Sequence, residues 1–308
     1  MAQKTRNDFL LSISDLAEFV GLPIEKVDQE LNQIQRRQLK SLVPPDLVRL
    51  YLSKKDYQMQ QQVFSFQMLK GGVAKTTSAL NFGVRASMFG AKVLFIDLDQ
   101  QANLSFALGI EDENLPVWVD IIEKKVKPEK AVISIDDGID LIPSSLNNSV
   151  LDRVLLNNNR NWSKAVANPV EQLKAHYDLI IIDTAPNLSA INTAVTCASD
   201  LVILPINPDR FSMLGLRKHL EDLNELRKEF DLDFESKILF TKYDGRESMS
   251  RDILNQCIED YEDMLLGHYV RTSSEIKNTL GSTKNIFSSK SNAKEDYDLV
   301  TKELLGFL

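Results

Sequence analysis

From residue 63 onward the chain alternates short, nearly continuous apolar runs with longer mixed stretches. The runs are Val63–Met68, Val93–Ile96, Ile139–Ile142, Leu179–Ile182, Leu201–Ile206 and Ile238–Thr241. A short run with no polar face is what a strand covered on both sides by helices requires. The gaps hold segments that read as helices, near Thr76–Met88, Asn192–Ala198, Met213–Glu229, Asp252–Glu262 and Asp296–Leu305. Strand–helix alternation predicts an α/β fold, a doubly wound, mostly parallel sheet with right-handed crossovers.

Residues 1–60 have a different pattern and predict a small all-α region. Ser14 is the expected N-cap of a helix over Asp15–Val20, which Gly21 ends. Pro23 suits the first turn of a second helix, from about Ile24 to Arg37, with Val27, Leu31 and Ile34 on one face. After Pro44-Pro45, Asp46–Leu52 reads as a third helix, and the polar stretch Lys54–Gln62 as a linker. The expected division is therefore a helical region over 1–60 and an α/β domain over 61–308. Ala17, Gly21 and Val27 have helix-turn-helix spacing: a small residue at the contact, a turn, an inward anchor. The next helix would expose Glu25, Lys26, Asp28, Gln29 and Glu30, an acidic face for a DNA reader. An operator-binding module and a helical dimerisation or docking module both fit.

Composition narrows the function classes. A chain that is 43% hydrophobic can fill one α/β core and a small module. No run approaches the roughly 20 apolar residues that span a bilayer, and the polar start, Met1-Ala2-Gln3-Lys4, lacks a signal-peptide core, so a cytoplasmic protein is expected. Cys197 and Cys257 stand far apart and the three histidines singly, which argues against a disulfide framework or zinc site. The net charge is −8, and the first 60 residues hold nine Lys/Arg against eight Asp/Glu, so the acidic excess lies beyond them. Contact with nucleic acid then has to come from a local basic patch.

The chemistry-bearing segment is Lys70-Gly71-Gly72-Val73-Ala74-Lys75-Thr76-Thr77, between the first strand and a helix. That is the context of a phosphate-binding loop: backbone N–H groups and a helix N-terminus surround phosphate oxygens. Lys75 would reach the β/γ-phosphates and Thr76 would ligate Mg²⁺. The general pattern has glycine where this chain has Leu69 and Ala74. Two further strands end in carboxylates, at Asp97-Leu98-Asp99 and at Asp183-Thr184-Ala185-Pro186. Strand ends are where open α/β sheets bind ligands, and Asp97 and Asp183 there can support Mg²⁺ directly or through water.

Lysine at the start of the loop makes it similar to the deviant Walker A motif of the ParA/MinD ATPases, and the resemblance extends over about residues 63–308. It implies ATP and Mg²⁺ as cofactors, bound by Lys70, Gly71, Gly72, Val73, Ala74, Lys75, Thr76 and Thr77. It implies that Lys70 reaches a partner's nucleotide in an ATP-state homodimer, and that Asp99 orients the attacking water; Lys70, Asp99 and Lys75 are its catalytic candidates. Asp183 resembles the Walker B carboxylate, with Thr184–Pro186 as its switch, while Gln100 replaces a family proline. Pro208 and Lys242 fall in segments similar to those flanking adenine; Val270-Arg271, Gly281 and Ser291–Tyr297 resemble the family's C-terminal stretch. The ParA branch implies nonspecific DNA binding, a nucleoid-associated location and a ParB-like partner that stimulates slow hydrolysis. Candidate DNA contacts are Arg217, Lys218, Arg227, Lys228, Arg246, Lys277 and Lys284. The tail, Leu299–Leu308, lacks a basic amphipathic face, which argues against the membrane-bound MinD mode. The cysteines do not match the iron–sulfur relatives. The alternative is a nucleotide-responsive transcriptional autoregulator acting through residues 1–60.

Overall fold

The computed structural model describes residues 9–35, 41–157, 162–279, 286–288 and 290–308; the side chains of 35 and 277–279 are also outside it. Arg36, Arg37, Gly281, Lys284 and the Lys277 side chain therefore lie outside the described residues.

A two-residue strand β1 (Leu11–Ser12) leads into helices α1 (Ile13–Val20) and α2 (Ile24–Gln35), strand β2 (Leu42–Val43) and helix α3 (Pro45–Ser53). Seven strands follow: β3 (Gln62–Phe66), β4 (Val93–Asp97), β5 (Ile133–Asp136), β6 (Ile139–Ile142), β7 (Leu179–Asp183), β8 (Leu201–Ile206) and β9 (Glu235–Phe240). Helix α4 (Lys75–Met88) joins β3 to β4. The short helices α5 (Asn103–Ala107), α6 (Trp118–Ile122) and α7 (Pro128–Ala131) fill the path to β5. Helices α8 (Leu151–Asn157) and α9 (Lys164–Lys174) precede β7; α10 (Ala190–Thr196), α11 (Arg210–Phe230) and α12 (Ser248–Tyr261) follow β7, β8 and β9. Helices α13 (Ser274–Thr279) and α14 (Asn292–Leu304) close the chain.

The sheet order is β5-β6-β4-β7-β3-β8-β9, parallel except for the β5–β6 pair. All six expected apolar runs are strands. Their residues alternate between two cores: Val93, Phe95 and Ile181 face the α4 side, while Leu94, Ile96 and Ile182 face the α6/α9 side. Covering both faces explains why the runs carry no polar stripe. Gly83 lets α4 press on this sheet, because a Cβ there would stand 2.3 Å from the Phe95 ring.

The N-terminal helices share the α4-side core. Phe9, Leu16, Val27, Leu31, Val48 and Tyr51 belong to the same buried cluster as Phe64 and Phe95. Tyr57 and Met59, in the expected linker, also pack against that core. The Arg85 guanidinium of α4 is 2% exposed; it donates to Asp298 of α14 (2.7 Å) and Asp15 of α1 (3.4 Å). Arg49 pairs with Asp178, just before β7, with Nη2 2.9 Å from Oδ1. The cap of α1 is Ser12, whose Oγ accepts from the Asp15 amide (3.0 Å), so Ser14 is inside the helix rather than its cap. Gly21 ends α1 in the left-handed region as expected (φ 64°), and Val27, the expected inward anchor, is fully buried.

Candidate nucleotide site

The carboxyl ends of β3, β4 and β7 lie side by side, and the glycine loop turns over them into α4. The turn needs left-handed backbone at two places, Gly72 (φ 75°) and Ala74 (φ 69°). Gly72 takes that conformation freely; Ala74 takes it with a Cβ, at a cost of about 1–2 kcal/mol. Val73 between them is buried against Met68, Leu204 and Phe240, so its side chain anchors the loop and only its backbone is available to a ligand.

Beneath the loop is a dense set of charges. Lys75 is 7% exposed, and Asp97 and Asp183 are fully buried. Burial lowers the Lys75 pKa, opposed by Asp183 and Asp99. Burial, reinforced by the Asp97 charge, pushes the Asp183 carboxyl up to about 8. The Thr76 hydroxyl donates to Asp183 Oδ2 at 2.6 Å, while Asp183 Oδ1 has no partner within the protein. A buried carboxylate with one oxygen bare and the other on a threonine hydroxyl fits a Mg²⁺ ion, which characteristically takes one or two protein oxygens and fills the rest of its octahedron with water and phosphate. Among the described residues, no three His, Cys, Asp or Glu side chains gather as an all-protein metal cage.

Asp97, unlike Asp183, has both oxygens occupied by donors within the protein. Its Oδ2 accepts from the Ser105 amide (2.9 Å) and hydroxyl (2.7 Å), and its Oδ1 from the Asp99 amide (3.1 Å). Burial pushes it up to about 7 against those bonds. The carboxylate thus ties β4 to the start of α5 and fixes the 97–105 loop. Asp99, 7% exposed, faces the cleft, with Oδ1 accepting from the Gln101 amide (3.0 Å).

The cleft has a volume of about 860 Å³ and runs from Gly71–Thr77 past Asp99 and Pro186 to Thr241–Lys242 and residues 270–273. It brings together the loop glycines, Ala74, Lys75, Thr76, Thr77, Asp99 and Lys242. Lys242 Nζ donates to the Gly72 carbonyl (2.6 Å), bracing the loop from the far end. Pro208 is not on the cleft wall; its neighbour Asn207 instead donates to the Gly72 carbonyl (3.2 Å). Among the wall residues, Arg271, clamped by Asp296, and the buried Tyr297, 3.2 Å from the Ser78 hydroxyl, are marked in the sequence only as members of family-like segments, and Ile276 is not marked. The only signal for two of them was the resemblance of the segments around 270 and 297, because their place depends on α14 folding back onto α4.

Lys70 lies at the loop's outer edge. Its ammonium is 2.6 Å from both oxygens of Asp209 and 3.3 Å from the Ser212 hydroxyl. Asp209 is the N-cap of α11, also accepting from the Ser212 amide (2.9 Å). The pairing is within one chain and one-third exposed on each side. On the α11 that Asp209 caps, Phe211 is 78% and Leu214 65% exposed; Leu188, after the β7 end, is 50% exposed.

Of the basic residues considered for DNA, Lys218 is paired with Glu221, Arg246 with Asp244, and Arg227 is held by Asn224 and the Phe234 carbonyl. Arg217 and Lys228 are exposed.

The AAA domain family matches residues 61–236. An uncharacterized protein of Methanocaldococcus jannaschii is 36% identical over 221 residues, covering 68% of this chain and 85% of that protein. The virulence plasmid ParA family protein pGP5-D of Chlamydia psittaci is 28% identical over 254 residues, covering 79% of this chain and 94% of that protein. Among solved structures, an ATP complex of Cyanothece McdA is similar with a TM-score of 0.74 at 25% identity, over 82% of this chain and 98% of that one.

Proposed function

This chain belongs to the ParA-type P-loop ATPases, and from that premise we propose that it is a partition ATPase that binds ATP with Mg²⁺, pairs with a second copy on ATP, and hydrolyses it slowly. The observation that carries the reading is that Lys75, Thr76 and Asp99 line one cleft, with the buried Asp183 held by the Thr76 hydroxyl and its Oδ1 left bare.

Thr76 and Asp183 would hold the metal, which would supply positive charge to offset that of the phosphates. Lys75, desolvated and close to Asp183 and Asp99, supplies a positive charge where the phosphates lie. The loop's amides add further donors without reorganisation. Asp99 orients a water in line with the terminal phosphorus; attack forms the new P–O bond, the β–γ bridge breaks, and ADP leaves with phosphate. Phosphoryl transfer needs little more from protein than position and charge. Asp97 would serve by keeping Asp99 in place through the Asp99 amide.

Lys70 rests on Asp209 in the single chain and moves to the nucleotide of a facing protomer when ATP is bound. The exposed Phe211, Leu214 and Leu188 supply apolar surface for that facing copy. The ATP dimer then holds bulk DNA through phosphate contacts, with Arg217 and Lys228 among the exposed candidates. A ParB-like partner raises turnover and releases it, so the protein works in the cytoplasm on the nucleoid.

The expected outcome for Lys75→Ala is loss of nucleotide binding. Asp99→Ala retains binding and ATP-dependent pairing but loses turnover by about two orders of magnitude or more. Phosphate release and labelled-ATP binding on the same preparations check both. An Asp99→Ala protein that turns over at the parental rate would remove Asp99 from the reaction.

A second reading, operator binding through the N-terminal helices, draws on the left-handed turn at Gly21 and the buried Val27 between α1 and α2. Its test is sequence-specific retention of the protein's own promoter DNA, lost in Lys26→Ala/Gln29→Ala, two exposed α2 positions.

A further inference from the structure

On the sheet face away from α4, a groove of about 580 Å³ runs between the turn after α6 and the helix α9. The turn is closed by the Lys124 amide on the Ile121 carbonyl (3.0 Å) and the Lys125 amide on the Asp120 carbonyl (2.9 Å). This closure puts the residue after the cap in the left-handed region, where glycine is the usual occupant. Here it is Lys124, at φ 60°. A strained side chain kept where glycine would be easier points to use of its charge.

Across the groove, Pro169 stands inside α9. Proline has no N–H, so the Ala165 carbonyl lacks the donor that a continuous helix provides four residues on. Both residues line the groove, as do Asn168 and Gln172, one turn apart and exposed. Lys124, Lys127 and Lys164 are exposed at its rim. Lys125 is drawn back onto Glu123 at 2.5 Å.

We propose that this groove binds an extended acidic peptide segment of a partner protein. Lysines at the rim match carboxylates. Asn168 and Gln172 amides each offer a donor and an acceptor. A peptide backbone supplies both complements at every residue. A nucleic-acid backbone has phosphate acceptors and no N–H, so it would satisfy the lysines and leave the side-chain amide oxygens facing acceptors. Among the described residues, none of the large exposed apolar side chains lies on this groove, which separates it from the Phe211 surface proposed for a second copy. The proposal is independent of the nucleotide reading, since no groove residue touches the cleft.

The test is fluorescence anisotropy of a labelled short peptide alternating Glu with Leu, of its Lys/Leu counterpart, and of a random-sequence DNA duplex, each titrated with the full-length protein. The Glu/Leu peptide is expected to bind, the Lys/Leu peptide not. Lys124→Glu/Lys127→Glu/Lys164→Glu is expected to lose at least about tenfold in affinity for the acidic peptide while binding ATP as the parent does. Lys124→Gly should weaken the peptide and raise the Tm by about 2 °C, the mark of a strained residue kept for binding. Equal peptide affinity in parent and triple variant overturns the proposal. So does a triple variant that loses duplex binding while its peptide binding is untouched, or a Lys124→Gly protein that melts lower than the parent.

Discussion

Ala74 shows how much one methyl group decides in a phosphate loop. Left-handed backbone is forced on it by the turn that aims the amides into the cleft, and its own carbonyl accepts the Ser78 amide at 2.8 Å to start α4. Strain of about 1–2 kcal/mol is only partly offset by the smaller conformational freedom of alanine in the unfolded chain, worth about 0.4–1 kcal/mol. Ala74→Gly is therefore expected to stabilise the nucleotide-free protein by about 0.5–1 kcal/mol, read from the urea midpoint. A lower midpoint would mean that the methyl packs rather than strains. At this scale the sequence was informative where the chemistry is local. Lys75, Thr76 and Asp183 could be placed from a lysine after a glycine turn and a carboxylate at a strand end. Asp209, Ser105, Arg271 and Tyr297 could not, because each acquires its role from a residue more than five positions away that only the fold brings near.

Among the elements, α11 joins the loop to the core. Its N-cap Asp209 holds Lys70, and ten residues on His219 is 2% exposed with neither ring nitrogen partnered within the protein. Burial, with the Lys75 charge adding, pushes His219 down to about 4. The unfolded chain takes up that proton near 6.5, so between the two values the unfolded state binds more protons and stability falls as pH falls. The whole effect, on the order of 3 kcal/mol, is absent above about pH 7 and complete below about pH 4. His219→Leu should flatten this part of the stability–pH curve and raise stability at pH 5, as followed by thermal melts across that range; parallel curves would contradict it. The long elements were legible for the reason α11 is: their apolar positions recur over several turns. Strand β5 was missed because Ile133-Ser134-Ile135-Asp136 is a half-exposed edge strand whose apolar residues alternate, unlike the continuous runs of the interior. The Asp137-Gly138 turn, with Gly138 at φ 77°, was its available sign. Helices α5 to α8 are four to seven residues long and owe their existence to tertiary contacts rather than to propensity.

Across the whole molecule, the expected boundary at residue 60 hides a joint. The buried Arg85 lies between Phe89 and Phe287 and links α1, α4 and α14 through Asp15 and Asp298. The N-terminal helices are thereby packed on the helix that begins at the phosphate loop. A local pattern could show three short helices but not which surface they cover. At this scale the proposed pairing of two copies draws on Lys70 at the loop's outer edge and on the exposed Phe211, Leu214 and Leu188. The decisive measurement is sedimentation velocity of the parent and of Lys70→Ala, each with Mg²⁺ and either ADP, ATP or a non-hydrolysable ATP analogue, with nucleotide binding confirmed on the same samples. The account predicts a dimer for the parent with ATP or the analogue only, and a nucleotide-bound monomer for Lys70→Ala throughout. A Lys70→Ala protein that dimerises on ATP as the parent does, or a parent whose assembly ignores nucleotide, would contradict it.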